Sequence, residues 1–266
     1  MVNITSYPAL VFVISFVVLA ISARLGVLFS QRRRIPGGVR EDFGVIQAAT
    51  LTLLGLIIGF TFSMALNRYD QRKNYEEEEA NAIGTEFVRA SLLPAEASVN
   101  VRALLVGYLD QRIHFYQTRD SEELAKINAQ TAKLQSDLWT AVQKPAVAQP
   151  SPLIALAVSG MNDVLNSQGY TQAAWWNRIP VAAWGLMGLI AICSNLLVGY
   201  GARKPKEEVR MLLILPLIVA VAFFLIADID SPRGGLIHVV PQNLISLAQS
   251  LRTQCLASSE QKRMST

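Results

Sequence analysis

Four runs of about 20 residues are apolar on nearly every face: 8–29, 43–66, 179–200 and 209–227. That is the length a helix needs to cross hydrocarbon, and a helix is the form in which one segment satisfies its own amide groups there. Each run therefore predicts a membrane-spanning helix. Arg24 falls inside the first run, close enough to its end for the guanidinium to snorkel toward headgroups. Trp175, Trp176, Trp184 and Tyr200 flank the third run, as interfacial anchors would.

Between 67 and 178 the pattern changes to one of amphipathic helices. Nothing after Leu66 breaks a helix before Pro94, so the second span is predicted to continue beyond the bilayer as one rod, 43–93, on the order of 75 Å long. Ala80, Ile83, Phe87 and Ala90 form an apolar stripe on this extension. A second helix, 95–117, carries Leu105, Tyr108, Arg112 and Phe115 on one face. A third begins at Ser121 as N-cap, with Glu122 and Glu123 in its positive first turn. Its Leu124, Ile127, Thr131, Leu134, Leu138 and Ala141 keep heptad spacing and predict packing along a neighbour. Prolines make 144–152 a loop. A fourth helix, 153–167, leads through Gly169 into the third span. No strand is predicted. The fold class is an all-α integral membrane protein with four transmembrane helices and an inserted extramembrane helical bundle. The segments are 1–66 (helices one and two), 67–178 (helical domain), 179–228 (helices three and four) and 229–266 (tail). The tail alternates apolar and polar pairs over 236–251, suiting either the membrane surface or the helical domain.

Composition agrees: 52% of residues are apolar, 17% are charged and the mean hydropathy is +0.32. This excludes a cytosolic enzyme, a secreted disulfide scaffold and a disordered chain. Segment 67–178 carries a charge of −2 and the remainder +6, so the basic excess lies at the membrane flanks and does not point to nucleic acid. Cys193 and Cys255 have no partner at metal or redox spacing, and no disulfide is expected. Residues 1–7 carry no basic side chain, which sets the first span apart from a cleavable signal peptide. Arg32, Arg33, Arg34 and Arg40 follow span one; Arg203, Lys204, Lys206 and Arg210 follow span three. These loops, 30–42 and 201–208, share a side, and the positive-inside rule makes it cytoplasmic, with the helical domain outside.

Ala48, Thr52, Gly55, Gly59 and Ser63 line one narrow face of span two. Small residues let helix backbones approach in lipid, and Gly55–Gly59 is a GxxxG pair. The same face suits a pore wall, where glycines leave room and the Thr52 and Ser63 hydroxyls meet a passing ion. Glu76 to Glu79 are consecutive, so their carboxylates splay around the helix and read as a solvated face more readily than as a cation site. Asp228 and Asp230 close span four before Ser231-Pro232-Arg233-Gly234-Gly235. They read as a helix exit into a turn, with Arg233 near enough to neutralise one, or as a charged ring at a pore mouth, to which Arg68 would add. Asn195 in span three suggests an interhelical hydrogen bond. His114 and His238 are solitary, and there is no phosphate loop, HExxH or nucleophile elbow. No catalytic residue, metal site or cofactor is expected.

Leu53-Leu54-Gly55, Gly59-Phe60, Asn67-Arg68-Tyr69-Asp70-Gln71-Arg72, Glu79 to Thr85, Arg89 and Leu92-Leu93-Pro94, with the ending Asp228 to Gly234, resemble a bacterial bestrophin-like membrane family of unknown function. Bestrophins are pentameric anion channels with four membrane helices and a helical domain after the second. They carry a similar Gly-Phe helix followed by an Arg–aromatic–aromatic motif, where this chain has Tyr69-Asp70, and this tail has no acidic calcium clasp. The resemblance implies a multi-pass protein of the bacterial inner membrane whose partners are the lipid bilayer, further copies of itself and inorganic anions. It implies an ion channel with span two lining the axis, and it would place the helical domain in the cytoplasm, against the loop charges. The competing expectation is a non-conducting interaction or sensor protein that docks a partner through its helices.

Overall fold

The computed structural model describes residues 7–32, 40–202 and 209–264. Its helices are α1 (Pro8–Arg32), α2 (Arg40–Arg89), α3 (Ala95–Gln117), α4 (Ser121–Ala148), α5 (Pro152–Trp176), α6 (Val181–Gly201), α7 (Val209–Leu212), α8 (Ile214–Asp230) and α9 (Gln242–Met264), with a single 3-10 turn at Ala90–Leu92. No strand occurs among the described residues. Four stretches are long and apolar enough to span a membrane: Pro8–Gln31, Glu41–Leu92, Pro152–Gly201 and Arg210–Asp230. The second span and its extension form one 50-residue helix, α2.

The chain divides into two units, 1–69 with 178–238 and 70–177 with 239–266. The first is the apolar one. Leu19 of α1, Leu54 and Ala65 of α2, Met187 and Ala191 of α6, and Val219, Phe223 and Ile226 of α8 form its core. α1 and α6 approach at backbone distance. A Cβ on Gly199 would overlap the Ala23 carbonyl, and one on Gly26 would overlap the Leu196 carbonyl and lie 2.8 Å from the Tyr200 amide nitrogen. In lipid, where apolar side chains gain nothing by leaving solvent, such close packing is what holds helices together. The close approach is therefore made by glycines of α1 and α6. Gly55 and Gly59 of α2 have no atom within 4 Å of an added Cβ.

The second unit is a helical bundle of the far end of α2 with α3, α4, α5 and α9. Its core takes in Ile83, Phe87, Leu105, Tyr108, Phe115, Ile127, Leu138, Met161, Val164 and Leu244. The stripe on α2, the face named on α3 and four of the six heptad positions of α4 are buried in it. Three local expectations change. The N-cap of α4 is Asp120, whose carboxylate accepts the Glu122 amide at 2.8 Å, one residue before Ser121. α4 also runs through Pro145 to Ala148 where a loop was expected; the buried Pro145 lies in the last turn, where its missing N–H forgoes only one helix bond. Trp175 is no interfacial anchor: it lies 5.0 Å from the Phe115 ring and 5.4 Å from that of Tyr116, edge-on to both.

Candidate functional site: the α2 face and the buried carboxylates

The apolar window of α2 is only 6% buried, against 44% for the Arg210–Asp230 span. Thr52, Gly55, Gly59 and Ser63 all lie on the exposed surface of this helix. The Thr52 hydroxyl donates to the Ala48 carbonyl at 2.9 Å, so in an apolar surround it is satisfied within its own helix and keeps a lone pair for an incoming group. One interhelical bond reaches α2 from α6, but it comes from Ser194, whose hydroxyl donates to the Thr50 carbonyl at 3.5 Å. Asn195, expected to bridge helices, instead donates to Ala191 of its own helix at 2.8 Å. A side-chain amide on a helix reaches the carbonyl four residues back without any partner helix.

Asp228 and Asp230 point inward. Both are almost fully buried. The Asp228 carboxylate accepts the amides of Leu236 at 2.7 Å and Ile237 at 2.8 Å. Asp230 accepts the Ile179 amide at 3.2 and 3.3 Å, just before the positive end of α6. Ser231 Oγ accepts the Gly234 amide at 3.1 Å. Gly235 carries no side chain because a Cβ there would overlap the Asp228 carbonyl and lie 3.0 Å from its Oδ1. This geometry ties the exit of α8 to the start of α6. A pore-mouth ring would need these carboxylates turned outward, which their backbone bonds oppose. Arg68 and Arg233 are half-buried. The basic residues that set the expected orientation, Arg33, Arg34, Arg203, Lys204 and Lys206, lie outside the described residues.

The glutamate run is not uniformly solvated. Glu77 and Glu78 are exposed, whereas Glu76 and Glu79 are buried. Glu79 collects donors from two helices: Arg112 through Nε and, at 3.4 Å, Nη2; the Tyr116 hydroxyl at 3.4 Å; and the Thr171 hydroxyl at 3.2 Å. Burial, the largest single influence, lowers the Arg112 pKa, but the charge and hydrogen bond of Glu79 together with Tyr108 and Tyr116 raise it above the ordinary arginine value. Burial and the same carboxylate push Tyr116 up, so it stays a neutral donor. Glu76 accepts the Leu244 amide at 3.0 Å and the Asn243 side chain at 2.6 Å. It caps the first turn of α9, which fixes the tail on the helical bundle. Glu86 differs from both. It is fully buried, and neither oxygen has a hydrogen-bond partner. Burial pushes its carboxyl from 4.5 to about 8, with Arg89 lowering and Asp163 raising the value. A sequence signal for these carboxylates existed: Glu76, Glu79 and Glu86 continue the three- and four-residue spacing of Ala80, Ile83, Phe87 and Ala90. Arg112 on an apolar face likewise called for a buried acid.

Comparison with known proteins follows the same lines. Residues 16–244 match the bestrophin-like domain. Crystal structures of a bacterial bestrophin homologue from Klebsiella pneumoniae superpose on most of this chain. One single-substitution form gives a TM-score of 0.62 at 12% identity, covering 92% of this chain and 96% of the other. A second gives 0.61 at 12% identity over 90% and 97%. A third structure gives 0.60 at 14% identity over 90% and 97%. At such identity the likeness is one of fold. No curated protein sequence matches. With the domain match extending from α1 into α9, the chain belongs to the bestrophin-like family of membrane proteins.

Proposed function

We propose that the protein is an oligomeric ion channel of bestrophin type in the bacterial inner membrane. In this reading α2 lines the axis through Thr52, Gly55, Gly59 and Ser63 and passes inorganic anions. The observation that carries it is the bare α2 face: only 6% of its apolar window is buried, and its small, weakly polar residues, which lipid contact does not call for, face outward. Copies arranged about an axis cover the flanks of α2 and leave its glycines toward the centre, where their lack of side chains keeps the path wide. The wall holds hydroxyls and no charge. Selectivity is therefore weak and set by the electrostatics at the ends of the pore, with Arg68 nearest on α2. The loop charges support a periplasmic helical domain.

Flux of chloride from proteoliposomes tests the reading. Gly55→Leu or Gly59→Leu is expected to reduce flux at least tenfold while leaving subunit number unchanged, because a Leu side chain from every copy fills the axis. No flux from the unmodified protein, or a monomer or dimer in detergent, overturns it and favours a non-conducting interaction protein. What supports that second reading is that the buried Glu79 network and the Glu76 cap hold the bundle together through its own contacts, without any pore.

A further inference from the structure

Arg24 is the one charged side chain of the first span, near its end, and its residue is exposed. It makes no hydrogen bond or ion pair with any described residue. Arg112, by contrast, is buried with its charge paired to Glu79. A guanidinium near the end of a span, with no anion beside it among the described residues, is favoured by an anion at headgroup level. Arg24 also lines a groove of about 210 Å³ together with Ala20, Ala23, Val27 and Leu28 of α1 and Leu212 and Leu213 at the α7–α8 junction. The short side chains of Ala20 and Ala23 open its floor. Its outer wall stands where the helix breaks, with the Leu213 amide bonded to the Arg210 carbonyl at 3.3 Å before α8 begins. Every other lining residue is apolar. The groove is smaller than the roughly 300 Å³ at which sites for whole small molecules begin, which suits a single hydrocarbon chain. Arg210, exposed on α7, adds a second positive side chain on the junction that forms this wall.

We propose that this groove binds one anionic phospholipid, with its phosphate on Arg24 and an acyl chain along Ala20, Ala23 and Val27. The occupant follows from charge complementarity: the pocket is apolar along its length and carries a cation with no counter-ion among the described residues. A second copy of the chain would have to bring an acidic side chain to Arg24, and the exposed surface of the apolar unit offers no carboxylate along its described spans outside the first turn of α2, Glu41 and Asp42. The site is independent of whether the protein conducts.

Native mass spectrometry of the full chain, titrated with phosphatidylglycerol and phosphatidylcholine of identical acyl chains, tests it. The unmodified protein is expected to retain one phosphatidylglycerol in preference to phosphatidylcholine by about fivefold, the scale of one basic side chain meeting an anionic headgroup. Arg24→Gln is expected to bring the two lipids to parity, Arg24→Lys to keep most of the preference, and Ala20→Phe to weaken both lipids by filling the groove. Arg252→Gln, in the helical bundle, should change nothing. Equal retention of both lipids by the unmodified protein overturns the proposal, whether the groove is closed by a second copy or filled without selection. A preference that survives Arg24→Gln overturns it as well.

Discussion

Glu86 shows how much one side chain can impose on its surroundings. α5 passes so close that a Cβ on Gly160 would overlap Glu86 Oε2 and lie 2.6 Å from Arg89 Nη1, so glycine at 160 is the condition for burying the carboxyl. Buried without a hydrogen bond, the acid is far cheaper neutral than charged. Its pKa of about 8 in the folded chain, against 4.5, means the folded state keeps a proton that the unfolded chain has released between those values. The stability tied to this proton is fully present below 4.5 and is lost as pH rises through about 8. Raising the pH from about 5 to about 9 is therefore expected to cost the helical bundle on the order of 3 kcal/mol, a loss that Glu86→Gln escapes. Melting temperatures of the two proteins across that range check this, and parallel curves would refute it. Glu79 differs in its contacts: its carboxylate accepts from Arg112, Tyr116 and Thr171, where Glu86 has no donor.

At the level of helices, glycine has two different meanings in the apolar unit. On α1 and α6 it permits contact, since Gly26 and Gly199 each face a backbone carbonyl with no room for a methyl. On α2 it faces open space within the protomer. Gly199→Ala should therefore destabilise the α1–α6 pair by about 1–3 kcal/mol, the usual cost of overpacking, while Gly55→Ala should change the protomer by less than about 0.5 kcal/mol. Thermal unfolding in detergent distinguishes them, and equal shifts would remove the distinction. The GxxxG pattern alone did not reveal this, because periodicity finds small faces without naming what they meet. The close α1–α6 contact was hidden for the complementary reason, as it rests on Gly26 of one helix and Gly199 of the other rather than on a repeated small-residue motif. α9 shows a third kind of dependence. Its docking rests on Glu76, some 168 residues before Leu244 in the chain, whose carboxylate supplies the cap that the helix's own sequence lacks.

For the whole molecule, membrane insertion follows from four apolar helices and from family membership, while sidedness rests on a charge count. A cysteine placed at Val147, which is 75% exposed in the helical unit, reports it directly in a background carrying Cys193→Ser and Cys255→Ser. With the helical domain periplasmic, an impermeant maleimide should label it on intact spheroplasts. Labelling only after lysis would place the domain in the cytoplasm, as the comparison with bestrophins implies. The tail also takes on definition at this scale: residues up to His238 cluster with the apolar helices, and those from Val239 with the bundle.

The four spans, the unbroken rod of α2 and the resemblance to bestrophins were legible along the chain, because each rests on local length, periodicity or a short motif, whereas the run of α4 through Pro145 and the helix α9 were not. What tertiary structure alone decided is which polar groups are inside. Asp228 and Asp230 found amides of Leu236, Ile237 and Ile179, and Glu76 found α9. Glu86 found no partner. A carboxylate's environment is set by atoms distant in sequence. Periodicity can show that such a side chain turns inward, but only the assembled fold determines whether a donor meets it there.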